Sequence, residues 1–356
     1  MSPSATAART RSNPVTAAYT ALSLEVRTMG LLNRTRLFYV GLFGALLVAL
    51  GGAITGFVLL QDSWFQLLIA AALGIVFTQF AFLGHEASHR QIMKSGPAND
   101  HIGRILATFF VGISYSWWMN KHTRHHANPN KVGKDPDIEP DTFTFYEESA
   151  ATRRGLMAWF TRRQGWFFFP LLLLEGINLH VTSARGLFAR GKVKGRALEL
   201  TLLGVRFAAY LAVIFWALPL GMAFAFLGVQ LAVFGVYMGA SFAPNHIGMP
   251  IVPRDVKLDF LSKQVRTSRN VSGGWWMTVL LGGLNFQIEH HLFPSMPRPH
   301  LRRTRKLVIA HCATNEVPYE ENSLPRAWGI VVAHLNRVGL AARHSFHCPV
   351  AGQLGR

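Results

Sequence analysis

Long apolar runs dominate the pattern of hydrophobic and polar positions along this chain. Residues 37–60 and 64–84 carry no charged side chain, and a third uncharged stretch covers 207–253. A helix that spans a bilayer needs about 20 apolar residues, so the third stretch is too long for one span and is broken near Pro219. The pattern predicts an all-α membrane protein with four transmembrane helices in two hairpins, with spans at about 37–60, 64–84, 200–218 and 222–243.

Three shorter apolar stretches do not reach spanning length. They lie at 105–119, 165–174 and 271–284. Each contains tryptophan, a residue that favours the boundary between membrane and water. We expect helices that lie in this interface, anchored by Trp117, Trp118, Trp166, Trp275 and Trp276.

The N-terminal segment 1–36 is polar at its start and does not resemble a secretory signal, because its first apolar run begins too late. Within it, Tyr19, Leu22, Val26 and Met29 recur at helical spacing, which predicts a short interfacial helix, with a plain linker as the alternative. We divide the chain into a cytoplasmic tail (1–36), a membrane domain (37–310) and a cytoplasmic C-terminal tail (311–356).

Charge gives the expected orientation. The chain has 36 Lys and Arg against 18 Asp and Glu, for a formal charge of +18. The turns at 61–63 and 219–221 contain no basic residue, whereas both tails and the segment 85–197 are rich in them. The positive-inside rule therefore predicts that both termini and the central segment are cytoplasmic. The charge lies in loops rather than in a separate basic domain, so we expect no nucleic-acid partner.

Three histidine clusters stand next to the predicted spans on this cytoplasmic side. The helical spacings i, i+3 and i+4 place the members of each cluster on one helix face. One cluster alone is as well explained by solvated or hydrogen-bonded histidines, but three on one side indicate a metal centre. Two cysteines far from them exclude a thiolate-rich site. The seven box histidines are His85, His89, His122, His125, His126, His290 and His291.

Seven histidines exceed the roughly four ligands that one ion needs, so the count predicts two ions. His246, at the end of the fourth span, is an eighth candidate ligand, with a hydrogen-bonded interfacial histidine as the alternative. Weaker candidates, acting directly or through water, are the amides of Gln287, Asn245 and Asn285. Four carboxylates are expected either to orient imidazoles or to form surface salt bridges: Glu86, Asp135, Asp137 and Glu289. We expect no catalytic residue beyond the metal centre.

The three boxes, HEASH at 85–89, HTRHH at 122–126 and QIEHH at 287–291, resemble those of the integral-membrane fatty acid desaturases. The third box begins with glutamine, and in this it is similar to the third box of the front-end branch, the Δ6- or linoleoyl-CoA-desaturase-like enzymes. The resemblance covers roughly residues 35–310. It implies a four-span bundle with a cytoplasmic helical cap that holds a di-iron centre.

Members of this branch often carry a fused cytochrome b5 domain with a His-Pro-Gly-Gly motif, which does not occur in this sequence. We therefore expect electrons from a separate ferredoxin, cytochrome b5 or flavin reductase. The small size predicts a bacterial protein of the cell membrane.

The expected reaction introduces a double bond into a long fatty acyl chain, linked to CoA or to a membrane lipid, with dioxygen and two electrons. The alternative within the same superfamily is a hydroxylase of an alkyl, sphingoid or carotenoid chain. A metal transporter is disfavoured, because it would need ionisable groups near mid-membrane. Besides anchoring, the tryptophan pairs at 117–118 and 275–276 are candidates for lining a substrate tunnel.

Overall fold

A computed structural model describes residues 14–342 of the chain, and these residues are mostly helical. This confirms the predicted all-α membrane protein. The outermost parts of the two predicted tails, 1–13 and 343–356, lie outside the described residues. The remaining parts of both tails contain helices, described below.

Two helical hairpins form the membrane part. The first joins α2 (Arg36–Leu60) to α3 (Gln66–Ser88), and the second joins α9 (Arg196–Ala217) to α10 (Leu220–His246). Gly74 brings α3 against α10, because a Cβ atom here would lie 2.9 Å from the carbonyl oxygen of Gln230. Each hairpin ends its second helix at a predicted histidine, so both deliver ligands to the same end of the bundle.

A fifth helix, α8 (Gln164–Leu187), is also long and apolar enough to span a membrane, by length and composition. The expected short stretch 165–174 is wrong in its end point, because Glu175, Asn178 and His180 interrupt the apolar run without ending the helix. The Gln164 side chain donates to the Leu335 carbonyl oxygen, in the cap. At the other end, Gly186 lies against the ring of Trp117. Both ends of α8 thus contact elements on the histidine side, and the four predicted crossings stay a prediction.

The expected interfacial stretch 105–119 does not form one continuous helix. After α4 (Gly96–Arg104), the chain forms a π-helical turn (Ile105–Val111) and then starts α5 (Tyr115–Ala127) at Ser114. Gly112, at φ +94°, ends the π turn.

Polar side chains from two neighbouring helices satisfy carbonyl groups of this turn, as irregular backbone at membrane depth requires. Arg206 Nε of α9 donates to the Phe110 carbonyl oxygen at 3.4 Å. His180 Nε2 of α8 lies 3.2 Å from the Val111 carbonyl oxygen. Arg206 also lies over the ring of Tyr210, at 4.1 Å.

The cap is built from short helices on the histidine side of the bundle. It comprises α1 (Pro14–Thr28), α6 (Glu147–Ala151), α7 (Gly155–Thr161), α11 (Phe260–Arg266), α12 (Trp275–Leu280), α13 (Gln287–Leu292), α14 (Arg298–Thr314) and α15 (Leu324–Gly339). Two short parallel strands, β1 (Asn270–Ser272) and β2 (Glu321–Ser323), pair within it. The expected interfacial stretch 271–284 therefore contains part of a strand and a short helix, because Gly273 and Gly274 interrupt it.

The predicted N-terminal helix is present as α1, but it faces the cap rather than lipid. Leu22 and Val26 are buried against α11, α13 and α14. The Tyr19 hydroxyl donates to the Leu292 carbonyl oxygen. Helix α1 therefore holds α13, which carries the third histidine box.

Close contact between α8 and α10 depends on glycine. A Cβ atom on Gly235 would lie 2.4 Å from the backbone of Gly176 and Leu172, whereas one on Gly228 of the same helix meets nothing within 4 Å. We expect Gly235→Ala to destabilise the protein by about 1–3 kcal/mol through overpacking. Thermal unfolding in detergent measures this. The control Gly228→Ala should be neutral or stabilising by up to about 1 kcal/mol, and equal melting temperatures for the two variants would contradict the predicted packing.

Candidate metal centre

All eight predicted histidines meet at the boundary between the bundle and the cap. His85 and His89 come from the end of α3, His246 from the last turn of α10, three from α5 and two from α13. The amphipathic spacing of each box places its ligands on the inward face of its helix. The structure therefore brings together residues that are more than 200 positions apart in the sequence.

Five of these histidines form one group, with ligand nitrogens all within 4.8 Å of one another: His85, His89, His122, His126 and His290. The Nε2 atom of His122 lies 3.0 Å from that of His85 and 2.6 Å from that of His89. The Nε2 atoms of His126 and His290 are 3.2 Å apart. Such a converging set of nitrogens can hold one metal ion.

The other three histidines, His125, His246 and His291, form a second group within the same 4.8 Å limit. Their closest measured approach is 3.3 Å, between His125 Nε2 and His246 Nε2. The Gln287 amide lies at the edge of this group, with its nitrogen 2.9 Å from His246 Nε2. A half-turn of that amide directs its oxygen to the same place. The division into two groups agrees with the two ions that the histidine count predicts.

Hydrogen bonds on the outer side of the second group place a proton on the Nδ1 atom of each imidazole. His125 Nδ1 contacts the Asp135 carboxylate at 3.1 Å, His246 Nδ1 the Thr267 carbonyl oxygen at 2.8 Å, and His291 Nδ1 the Gln264 amide oxygen at 2.9 Å. A neutral imidazole that donates through Nδ1 keeps a bare lone pair on Nε2.

The inner nitrogens of these three rings therefore converge, and His291 Nε2 is buried without a hydrogen-bond partner. A cation between the rings would satisfy this nitrogen. The donor set thus fits a metal ion.

Burial also keeps most of these rings neutral. It lowers the pKa of His122, His126, His290 and His291 well below the usual histidine value. A neutral ring is the form that binds a metal, so these four need no deprotonation at neutral pH.

His125 differs from these four rings. Burial opposes its protonation, but the carboxylates of Asp137 and Asp135 outweigh burial and raise its pKa. These carboxylates make His125 a more basic ligand.

Two of the four predicted carboxylates contact a ligand. Asp135 is fully buried, contacts His125 and accepts from the Asn130 backbone N–H at 2.7 Å. Asp137 is exposed; it lies 3.2 Å from His125 Nδ1 and 3.0 Å from Lys121 Nζ. The expectation of imidazole-orienting carboxylates thus matches the geometry at Asp135 and Asp137.

The other two carboxylates bind elsewhere, and neither forms a surface salt bridge. Glu86 makes a buried ion pair with Arg298, at 2.5 Å and 2.8 Å. Glu289 accepts from Asn270 Nδ2 at 2.8 Å and from the Tyr319 hydroxyl at 2.9 Å. Burial raises the pKa of Glu289 to about 7. Both carboxylates tie a histidine-bearing helix to the cap.

The two remaining predicted amides, Asn245 and Asn285, lie near the histidines, but the hydrogen bonds described for them go to other residues. Asn245 Nδ2 donates to the Gln287 amide oxygen at 3.2 Å, and Asn285 Nδ2 lies 3.3 Å from the Thr278 hydroxyl. The side-chain oxygens of both asparagines are buried without a partner. Their role as ligands stays a prediction.

Sequence reasoning missed several residues that hold the ligands. Arg298, Gln264 and Thr267 belong to no histidine box and have no diagnostic spacing. Arg298 was open to inference, because a glutamate at the end of an apolar helix needs a cationic partner when it is buried. Gln264 binds two ligand residues at once, since its amide nitrogen also donates to the His126 carbonyl oxygen at 2.9 Å.

A cavity of about 290 Å³ opens beside the histidines, with His122, His125 and His246 in its wall. Most of its lining is apolar and comes from α8, α10 and the segment before α6, including Phe143, Phe145, Phe168, Leu172 and Phe242. Trp118 also lines it and stacks on His122, with ring centroids 4.7 Å apart. Trp118 thus lines this cavity, and a substrate-tunnel role for it stays a prediction. Trp275 and Trp276 are mostly exposed, as expected of anchors.

Comparison with known proteins gives consistent results. The model of the family described as fatty acid desaturase matches residues 62–323. The chain is 29% identical to the acyl-lipid (9-3)-desaturase of Borago officinalis, over 91% of this chain and 75% of the relative. It is 29% identical to the Delta(8)-fatty-acid desaturase of Helianthus annuus, over 79% and 64% respectively. It is 28% identical to the Delta 8-(E)-sphingolipid desaturase of Kluyveromyces lactis, over 82% and 54%.

The matched segment contains all three histidine boxes, and the relatives support the front-end resemblance that glutamine in the third box indicated. Desaturases are oxidoreductases, and the apolar helices and the histidine groups are compatible with this family. The chain therefore belongs to the fatty acid desaturase family.

Proposed function

We propose that this protein uses dioxygen, two electrons and two protons to introduce a double bond into a long-chain acyl substrate, with the two substrate hydrogens and both oxygen atoms released as two molecules of water. The observation that carries the proposal is the pair of histidine groups in the wall of an apolar cavity. An unactivated alkyl chain has no acidic hydrogen, so side-chain acids and bases alone cannot remove two hydrogens from it. The chain must instead be held against a redox centre in a water-poor site.

The five-nitrogen and three-nitrogen groups are the proposed ligands of two iron ions, with Gln287 completing the second group. Imidazole suits iron, copper, zinc and nickel. The redox reaction excludes zinc, and membership of the desaturase family supports iron. When bound, the two ions would supply the electron-transfer and dioxygen chemistry. The protein's own residues hold the imidazoles in position through Asp135, Gln264 and the Thr267 carbonyl group.

The acidic segment beside the cavity, which we call the rim, favours a lipid-linked substrate over a CoA thioester. The segment 135–148, which contributes Asp137, Phe143 and Phe145 to the cavity wall, has six acidic residues and no basic one. This is a local exception in a chain of net charge +18. Asp137 and Glu139 are paired with Lys121 and Arg124, but Glu147 and Glu148 are exposed. A phosphate-rich CoA group would be repelled here.

We further propose that the histidine side of the membrane is cytoplasmic, because the basic loops lie on that side. A separate carrier would deliver the electrons there, and the basic surface favours an acidic one. The relatives named above come from plants and fungi, so the expectation of a bacterial cell membrane has no support from them.

The first experiment is expression of the chain with an electron-donating system, followed by mass spectrometry of total fatty acids. We expect an unsaturated product two hydrogens lighter than its precursor, dependent on iron and oxygen. A product that gains one oxygen atom instead would identify a hydroxylase. No new product from an iron-loaded, folded protein with an active reductase would overturn the proposal.

The carrier preference is tested with the same acyl chain supplied as acyl-CoA or as a phospholipid in vesicles. We expect the phospholipid to be the better substrate because the rim is acidic. The variant with Glu147→Lys and Glu148→Lys should raise the relative use of acyl-CoA. A preference for acyl-CoA in the unchanged protein would contradict this part of the proposal.

The metal assignment is tested by iron content after dialysis against a chelator. His291→Ala removes one ligand of the three-nitrogen group, so we expect about one of two ions to be lost. Asp135→Asn should weaken iron binding about 10–100-fold, the usual effect of losing an outer hydrogen bond to a ligand. The control His101→Ala, an exposed histidine outside the groups, should keep all its iron. Equal iron in all three variants would remove His291 and Asp135 from the site.

A further inference from the structure

A second, smaller cavity lies next to the one described above. It measures about 30 Å³ and has His85 in its wall. Three side chains line both cavities: Trp118, Met238 and Phe242. We call these three side chains the partition, since they stand between the two spaces.

The partition lies directly against the histidines. The Trp118 ring stacks on His122 and lies 6.1 Å from His85, and the Phe242 ring lies 6.2 Å from His85. The large cavity thus reaches His122 from one side and the small cavity reaches His85 from the other. An alkyl chain that crossed the partition would pass alongside both imidazoles.

The remaining walls of the small cavity are built from small and aliphatic residues. Ala81 and Gly84 come from α3, and Ala107 and Val111 come from the π turn. A space of about 10–15 Å³ holds one water-sized group, so the cavity admits only about two carbon atoms as it stands. It is apolar apart from His85, which suits the continuation of an alkyl chain and not a polar head group.

Met238 is the adaptable member of the partition. The rings of Trp118 and Phe242 are held by contacts with each other, at 6.1 Å, and with the histidines. Methionine is unbranched, with three rotatable bonds, and its thioether fills irregular spaces. Its neighbour Gly239 packs closely on Leu172, and this contact holds the backbone of α10 in place. The Met238 side chain can then change rotamer without a movement of the backbone.

We propose that the two cavities are successive parts of one acyl channel and that Met238 sets how far the chain advances past the histidines. Met238 is then a specificity-determining residue, which controls the position of the new double bond and the accepted chain length. This inference rests on the proposed desaturase function. The channel runs from the acidic rim, along α8 and α10, past the partition and into the pocket between α3 and the π turn.

The test compares Met238→Ala with the unchanged protein on acyl chains of graded length. Removing the side chain should join the cavities, so the chain advances by about two carbon atoms. We expect a new positional isomer and a shift of the preferred chain length towards longer substrates. The bulkier Met238→Phe should shift both in the opposite direction. Mass spectrometry of derivatised products measures the isomer ratio, which does not depend on how much enzyme is folded.

Met222→Ala is the matched control. Met222 lies on the same helix, is buried to a similar degree and lines neither cavity. It should lower stability without changing the isomer ratio or chain-length preference. The volume-conserving Met238→Leu keeps the test available if the alanine variant fails to fold, and its branched side chain should also alter the ratio.

Unchanged isomer ratio and chain-length preference in active Met238 variants would overturn the inference. The same result follows if Met222→Ala shifts them equally, since the effect would then be one of general destabilisation. Absence of any unsaturated product from the unchanged protein is a different outcome, and it would contradict the proposed function itself.

Discussion

The structure depends on the convergence of eight imidazoles that come from four parts of the chain. In the second group, Asp135, Gln264 and the Thr267 carbonyl group contact the outer nitrogens, so the inner nitrogens face one another. The two hairpins, the cap and α5 all contribute histidines at this point. Their arrangement therefore suits the binding of cations at a membrane boundary.

A second constraint is that polar backbone at membrane depth must find partners within the protein. The π turn satisfies it with the side chains of Arg206 and His180. Where α9 begins, the buried Glu199 carboxylate accepts from the hydroxyls of Ser114 and Ser116 and from Arg104. Ser114 also caps α5, so this carboxylate holds the first turn of the helix that carries the second histidine box.

Much of the fold and site could be predicted because it follows from local periodicity. The predicted spans come from long apolar runs, and the box histidines come from helical spacing that does not depend on tertiary structure. What could not be predicted depends on contacts across the sequence. Helix α8 continues beyond residue 174 although polar residues interrupt its apolar run.

The outer partners of the ligands were missed for the same reason. Gln264 and Thr267 lie in and just after a short cap helix whose position is set by packing against α1 and α13. Asp135 was named because it is close in sequence to the second box. The buried Arg298 was not, since its partner Glu86 is 212 positions away.

The allocation of neighbouring histidines has a consequence for how the two groups respond to each other. In α5, His122 and His126 belong to the five-nitrogen group, while His125 between them belongs to the other; in α13, His290 and His291 are divided likewise. Adjacent residues on a helix diverge by about 100°, so one rigid backbone serves both groups. Any rotation of either helix disturbs both groups together. The spacing between the two histidine groups is then set in large part by the helical repeat of α5 and α13.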